Sequence, residues 1–401
     1  MEALIHTQTA TVWFHHITMP ATQLMATEKI SPPVDSAKKL IFEKFLIMLL
    51  YFYLQGLDSL RSLITNLKTD DNIHKIDLFP VGLSTVHDAF HRYSASRWQA
   101  IYFYLLQKFP VYEIEEFKEL GRLILTDGSI FPMAINNFWA EFKQNCRALK
   151  LHLSFQLNQM IPSYFIITDA KHDERKVLAT MIEKAVTYIA DRGYLSFDLF
   201  YQFVIKEAFF IIRSRNNITY QLIKQLPIPV TAAVKQLFFR VTDELVRFNR
   251  DKHSQLYRRI SFRTHNTVFV LITNRLDLST YQIIRLYAFR WQIELFFRHF
   301  KRMLNAIHLI NNSPNGVTIQ FYSILIVNLL LLQFKYQQRQ QYLFRKDQHP
   351  CKSEDSVFTS PEHFIKILSA QIPREYKITK QEIQEIRNSL FKSIQLKFVF
   401  L

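Results

Sequence analysis

Arg122-Leu123-Ile124-Leu125-Thr126-Asp127-Gly128 is a short apolar run that closes on a carboxylate and a glycine. The pattern predicts a buried strand followed by a turn, with Asp127 at the strand's end. Downstream, Leu149 to Leu157 alternates Leu151, Leu153, Phe155 and Leu157 with polar residues, the period of a strand with one buried face. Ser163 to Thr168 makes a third strand. From about Asp173 to Ala190 the spacing of Val177, Met181, Ile182, Ala185 and Ile189 predicts a helix, after which a fourth short strand should deliver Asp191. A helix around Asp198 to Lys206 and a strand over Phe209 to Arg213 complete the series.

Three strands, a helix, a strand, a helix and a strand is the order of a ribonuclease H-like mixed-sheet core, so an α/β fold is expected. Residues from about Tyr220 to Asn274 interrupt it with short apolar or alternating runs and the charged turn Arg250-Asp251-Lys252, which predicts a β-rich insertion. A single helix from about Ser279 to Met303 returns to the core. Ahead of the core, Leu40, Phe42, Phe45, Leu46, Leu49, Leu50 and Tyr53 have helical spacing that ends at Gly56. A turn at Gly82, with Ser84 as cap, leads into a second amphipathic helix through Tyr93. A helix-turn-helix and an ordinary helical hairpin fit this segment equally well. Residues 1–34 mix Thr, His and Pro without periodicity and are expected to form an irregular arm; the basic, glutamine-rich tail beyond Tyr336 is expected to be a separate helical piece. The organisation expected is a helical N-terminal region over 1–118, a catalytic domain over 119–335 with its insert at 220–274, and a helical C-terminal region over 336–401.

The chain has 401 residues, 49% of them hydrophobic, enough to bury a sizeable core. Its net charge of +16, with a sequence pI near 9.6, favours polyanions, nucleic acid first among them. Cys146 and Cys351 are the only cysteines, which excludes thiolate zinc clusters and fits a reducing cytoplasm. The first sixteen residues carry Glu2 and three histidines and lack a basic region followed by an apolar one, so a signal peptide is not expected there. The longest apolar stretch, Phe321 to Phe334, is too short to span a bilayer and is expected to be a buried helix, so no membrane partner is expected. Six glycines leave no phosphate-cradling loop, and His87 and His91 have the spacing of a zinc-protease pair but lack its glutamate.

Breaking and joining a phosphodiester calls for two Mg²⁺ ions about 4 Å apart, held by clustered carboxylates. Asp127 and Asp191, each at a strand end, and Glu294, on a helix able to cross them, could converge. Each also has an ordinary explanation: a turn at Asp127-Gly128, another at Asp191-Arg192-Gly193, and an ion pair between Arg290 and Glu294. On one ideal helix at about 100° per residue, Tyr287, Arg290, Glu294 and Lys301 fall within roughly 60° of arc, on an element whose remaining girth is largely apolar.

Tyr287, Arg290, Glu294 and Lys301, set in Leu-Tyr-Ala-Phe-Arg-Trp-Gln-Ile-Glu-Leu-Phe-Phe-Arg-His-Phe-Lys, resemble the Y-R-E-K signature of the insertion-sequence-four family of DDE transposases. Leu-Thr-Asp127-Gly-Ser resembles that family's first catalytic aspartate and Ala-Asp191-Arg-Gly-Tyr194 its second; the resemblance covers about residues 120–335. It implies a bacterial cut-and-paste transposase, an endonuclease and strand-transfer enzyme associated with the nucleoid. Asp127, Asp191 and Glu294 would hold two Mg²⁺ ions, with Mn²⁺ able to substitute. Water would nick the transposon end and the freed 3′-hydroxyl would attack target DNA. Tyr287, Arg290 and Lys301 would contact terminal phosphates, with Arg298, outside the signature, a further candidate. The partners implied are double-stranded DNA, as terminal inverted repeats and target, and a second copy of the chain in a synapsed dimer. Relatives that form a hairpin stack a flipped base on an aromatic of the insert, often Trp; Trp13, Trp98, Trp139 and Trp291 all lie outside it, which leaves Phe248 or Tyr257 for that task. Two alternatives stand beside this one: an inactive or domesticated protein that binds DNA ends, and a metal-dependent nuclease without strand transfer.

Overall fold

The computed structural model describes residues 39–69, 73, 78–108, 114–133, 139–143, 146–228, 239–263, 267–303 and 309–346. The arm expected over 1–34 and the tail beyond 346 lie outside them. The chain divides into two compact units, one holding residues up to Val111 and from His299 to His349, the other Tyr112–Arg298.

The first unit is helical among its described residues: α1 (Phe42–Gln55), α2 (Leu60–Thr69), α3 (Leu83–Arg92), α4 (Ala95–Lys108) and, after the second unit in sequence, α9 (Pro314–Lys346). Gly56 ends α1 in the left-handed conformation at φ 65°, as a helix stop requires. Gly82, not Ser84, caps α3, so Ser84 lies inside the first turn. Phe42, Phe45, Phe90, Tyr93 and Trp98 pack edge-on and stacked between α1, α3 and α4. From Phe321 to Leu330 the apolar run is buried, and two of its polar interruptions bond within α9: Ser323 donates to the Ile319 carbonyl at 2.8 Å and Asn328 to that of Ile324 at 2.9 Å. The helix continues unbroken through Tyr336, where a separate piece was expected. No helix of the described residues is long and apolar enough to cross a membrane.

The second unit is a mixed α/β structure built on one ten-stranded sheet. Its elements are β1 (Leu123–Met133), β2 (Glu141–Lys143), β3 (Cys146–Gln156), β4 (Ile161–Asp169), α5 (Glu174–Met181), β5 (Thr187–Ala190), α6 (Phe197–Ile205), β6 (Phe209–Arg213), β7 (Tyr220–Gln225), β8 (Phe239–Phe248), β9 (Tyr257–Arg263), β10 (Val268–Thr273), α7 (Thr280–Ala288) and α8 (Trp291–Met303), whose last residues fall to the first unit. The strand order is β2-β3-β1-β5-β6-β10-β9-β8-β7, with β4 paired to β3. The β1–β5 and β5–β6 ladders are parallel and the others antiparallel. The strands expected in the interrupting segment are thus a continuation of the same sheet, joined through β10 to β6.

One face carries Ile124, Tyr188, Ala190, Phe210 and Ile212 against Leu178 of α5 and Leu199, Phe200 and Phe203 of α6. On the other, Phe155 meets Phe296 of α8 at 5.5 Å and Phe269 meets Tyr287 of α7 at 6.5 Å. Three elements differ from the sequence expectation. β1 runs six residues past Asp127. The helix from 174 stops at Met181, because Ala185 turns through φ 61° and Thr187-Tyr188-Ile189, branched and aromatic, pair as a strand. The single helix expected over 279–303 is two: Phe289, Arg290, Gln292 and Ile293 make i→i−3 bonds that tighten the backbone at the joint. The sixty-degree stripe therefore does not hold as drawn, since Tyr287 ends one helix and Glu294 opens the next.

A buried clasp fixes where α7 begins. Arg258 of β9 grips Asp243 of β8 in a fork, Nε to Oδ1 at 2.9 Å and Nη2 to Oδ2 at 2.6 Å, and also donates to the carbonyls of Arg275 and Leu278. Thr280 Oγ1 donates to Asp243 Oδ2 at 2.6 Å, and a capping box between Ser279 and Gln282 completes the helix start. Both charges are buried, at 5% and 0% side-chain exposure, so removing one strands the other. Asp243→Ala should lower unfolding free energy in urea by about 3–5 kcal/mol; a loss below about 1 kcal/mol would show the clasp to be dispensable.

Candidate active site

The β1–β5 register pairs Leu123 with Thr187 and Leu125 with Ile189. Two residues on, in parallel strands about 4.8 Å apart, Asp127 and Asp191 stand at the same level and on the same face. Asp191 is the first residue after β5; its backbone is still extended, and its carboxylate caps the short 3₁₀ turn Arg192–Tyr194 by accepting from Gly193 N–H at 2.7 Å. Asp127 lies inside β1, accepting from Gly128 N–H at 2.8 Å. The turn expected at Asp127-Gly128 is absent because β1 stays paired with β3 through Met133. Gly128 lies against another carboxylate: a Cβ there would fall 2.8 Å from Oε1 of Glu174, whose side chain would have to shift to admit it.

Glu174, which the sequence reading did not single out, opens α5 behind the N-cap Asp173. Its carboxylate lies over Gly128 and reaches toward the Asp191 turn: a Cβ at Gly193 would stand 3.0 Å from Asp191 Oδ1 and 3.7 Å from Glu174 Oε2. Lys150 of β3 is its ion-pair partner, at 3.2 Å. Tyr194 is buried at the same place, hydrogen-bonded to the Thr126 side chain, and burial first, then Glu174 and Asp127, hold its hydroxyl far above the ordinary tyrosine range.

On the opposite face, Arg290 at the joint between α7 and α8 binds Glu294 at 2.6 Å, Nη1 to Oε1, and lies within electrostatic reach of Asp127. The ordinary ion pair considered for these two residues is therefore formed. Tyr287 is buried, and burial leads in raising its hydroxyl; the Arg290 guanidinium lies over the Tyr287 and Trp291 rings at 6.0 and 5.8 Å. Asp127 and Asp191 are thus brought together, and Glu294 faces them through Arg290. Arg298 is exposed on α8, and Lys301 belongs to the other compact unit. Phe248 and Tyr257 are buried against Phe197, Phe200 and Phe210, so neither offers a free face to a base.

Electrostatically the centre has an excess of negative groups. Burial pushes the Asp127 carboxyl up to about 7; the Gly128 N–H and Arg290 oppose the rise, and Asp191 and Glu174 add to it. Carboxylates crowded without enough counter-charge suit a divalent cation. Among the described residues no three acidic, histidine or cysteine side chains already stand as a closed metal cluster, consistent with Glu294 being turned to Arg290.

A family model described as "Transposase DDE domain" matches residues 119–330. Over 214 residues, 52% of this chain, the sequence is 30% identical to y4zB of Sinorhizobium fredii, a protein named as a transposase. Over 242 residues, 60% of this chain, it is 24% identical to a Geobacillus stearothermophilus protein named as a transposase for the insertion sequence element IS5377. The chain spans 60% of the length of each of these relatives. Among solved structures, the piggyBac transposase synaptic complex with hairpin DNA aligns over 95% of this chain and 85% of its own at TM-score 0.42 and 8% identity, a likeness too low to bear on the fold.

Because the folded chain holds the Asp127 proton more tightly than the unfolded chain, stability should fall as pH rises from about 4 to about 7. Asp127→Asn cannot ionise. With chelator present, the variant should exceed the parent in unfolding free energy by about 1–3 kcal/mol at pH 8 and by much less at pH 5. An equal difference at both pH values would contradict the burial argument.

Proposed function

The chain belongs to the transposase DDE-domain family, and from that membership we propose that it is the transposase of a bacterial insertion sequence, cutting double-stranded DNA at transposon ends and joining those ends to target DNA. The observation that carries this reading is the in-register pair Asp127 and Asp191 at the carboxyl rim of a parallel ladder, faced by Arg290 and Glu294. The matched relatives' names support the insertion-sequence assignment. The element order, three long strands, helix, strand, helix, strand, supports a ribonuclease H-like core, and Tyr287, Arg290, Glu294 and Lys301 support the Y-R-E-K signature of the insertion-sequence-four group.

In this reading Asp127, Asp191 and Glu294 hold two Mg²⁺ ions. When bound, the ions lower the cost of charge on the attacking and leaving oxygens of a phosphodiester. The chain's own groups bind and orient. Arg290, half-buried and always charged, would exchange Glu294 for a terminal phosphate, which both positions the DNA and frees the Glu294 carboxylate. Tyr287 braces the guanidinium by ring contact. Lys301 and Arg298 would add phosphate contacts farther along α8. Region 1–118 would bind the ends, region 119–335 would carry the chemistry, and two copies would synapse a pair of ends. A net charge of +16 supports the polyanionic partner and a nucleoid location.

Asp191→Ala should abolish end cleavage while leaving end binding within a few fold; unchanged cleavage would remove the mechanism. A parent protein that nicks ends and never joins them would instead be a nuclease. Arg290→Ala should weaken end binding and reduce the slope of log affinity against log salt by about one unit, the loss of one phosphate contact. An unaltered slope would confine Arg290 to the fold.

A further inference from the structure

We infer that Arg213 is a DNA-contacting residue of the Asp127–Asp191 centre, holding a backbone phosphate separate from the one that Arg290 would take. The inference rests on the proposed reading that this centre acts on DNA ends, and adds to it a contact made by the sheet itself.

The strand register places it. β5 and β6 are parallel and pair Ala190 with Ile212. One residue on, Asp191 and Arg213 stand level and on one face, as Asp127 and Asp191 do across β1 and β5. Across the sheet this row reads Leu153, Asp127, Asp191, Arg213 and Leu271, and both leucines are buried. Arg213 is therefore the cation of the row, one strand from Asp191.

Its side chain is held on the α7 side. Leu271 faces Arg213 in the antiparallel β6–β10 ladder, and Phe269, two residues along and so on the same face, lies under the guanidinium at 4.5 Å. Phe269 in turn meets Tyr287 at 6.5 Å, and Tyr287 lies within electrostatic reach of Arg290, Arg213 and Asp191 alike. Two arginines thus converge on one tyrosine beside the aspartates.

What this guanidinium lacks is an anion. Arg258 and Arg259 on β9 and Arg275 just after β10 each grip a carboxylate, and Arg290 grips Glu294. Arg213, half-buried, makes no side-chain ion pair or hydrogen bond among the described residues; its contact is the Phe269 ring. A ring meets the flat face of a guanidinium and leaves the N–H donors at its edge to an oxyanion. A phosphate reaching Arg213 displaces no carboxylate, whereas one reaching Arg290 must replace Glu294. If the ring contact were its whole task, Arg213 would serve the fold alone, and this gives the test its contrast.

The full chain would be bound, in chelator so that no strand is cut, to a short duplex copied from the end of the DNA element that carries its gene. Each terminal phosphate in turn would be replaced by an uncharged methylphosphonate, and the parent compared with Arg213→Gln, Arg213→Lys and Arg290→Ala. The parent should lose about tenfold in affinity at each of two separate phosphates. Arg213→Gln should be blind to one of them and Arg290→Ala to the other, and each should reduce the salt slope by about one unit. Arg213→Lys, which keeps the charge, should keep the slope. If Arg213→Gln responds to every methylphosphonate as the parent does, Arg213 serves only the fold, and Arg290→Ala still reports on the proposed reading by itself. If the parent binds this duplex no better than one of random sequence and responds to no replacement, the DNA-end reading fails and this inference with it.

Discussion

A three-residue parallel ladder between β1 and β5 sets the rest of the site. β5 is only four residues long, with every side chain buried, and pairing Leu125 with Ile189 leaves no freedom in where Asp127 and Asp191 fall. A slip of one residue would turn Asp191 to the opposite face and separate the carboxylates. The aromatic packing of Phe200 and Phe203 on Tyr188 and Phe210 resists such a slip, because it buries large rings at positions that share the β5 and β6 register.

The remaining groups reach that ladder from elements fixed far from it. Arg290 and Glu294 sit where α7 gives way to α8, and the start of α7 is held by the Arg258–Asp243 clasp between β8 and β9. The strands that interrupt the core in sequence therefore have a positional task as well as any contact they make with DNA. Arg290 acts electrostatically on Asp127 and also holds a carboxylate of its own, so charge balance at the centre depends on which anion it binds. In the proposed reaction a phosphate replaces Glu294 as that anion, coupling arrival of DNA to release of the third ligand.

Most of the sheet was legible because its signals are local. Phe209 to Arg213 and the alternating Leu151-Leu153-Phe155 form strands as their patterns require, and Asp191 follows its short strand. The errors arose where tertiary pairing overrode local punctuation. Asp127-Gly128 looked like a turn, yet β3 supplies partners on through Met133, and the glycine answers a side chain forty-six residues downstream. The joint at Phe289-Arg290 carries neither proline nor glycine, so nothing in that stretch distinguished two helices from one. Glu174 was invisible for a related reason: an Asp-Glu pair opening a helix is what capping and the helix dipole favour anywhere, and only the fold shows what lies beneath its carboxylate. Phe248 and Tyr257 were plausible stacking faces as aromatics of the interrupting segment, and their burial was decided by α6, which the segment's own sequence does not contain.

The central claim is that Asp127 and Asp191 share a divalent cation because a parallel register sets them side by side. Crystals of the full chain soaked in Mn²⁺ and measured at the manganese absorption edge test it directly. The account predicts an anomalous peak with carboxylate oxygens of both residues within about 2.4 Å; a peak bound elsewhere, or none at saturating Mn²⁺ with the two carboxylates in place, would contradict it.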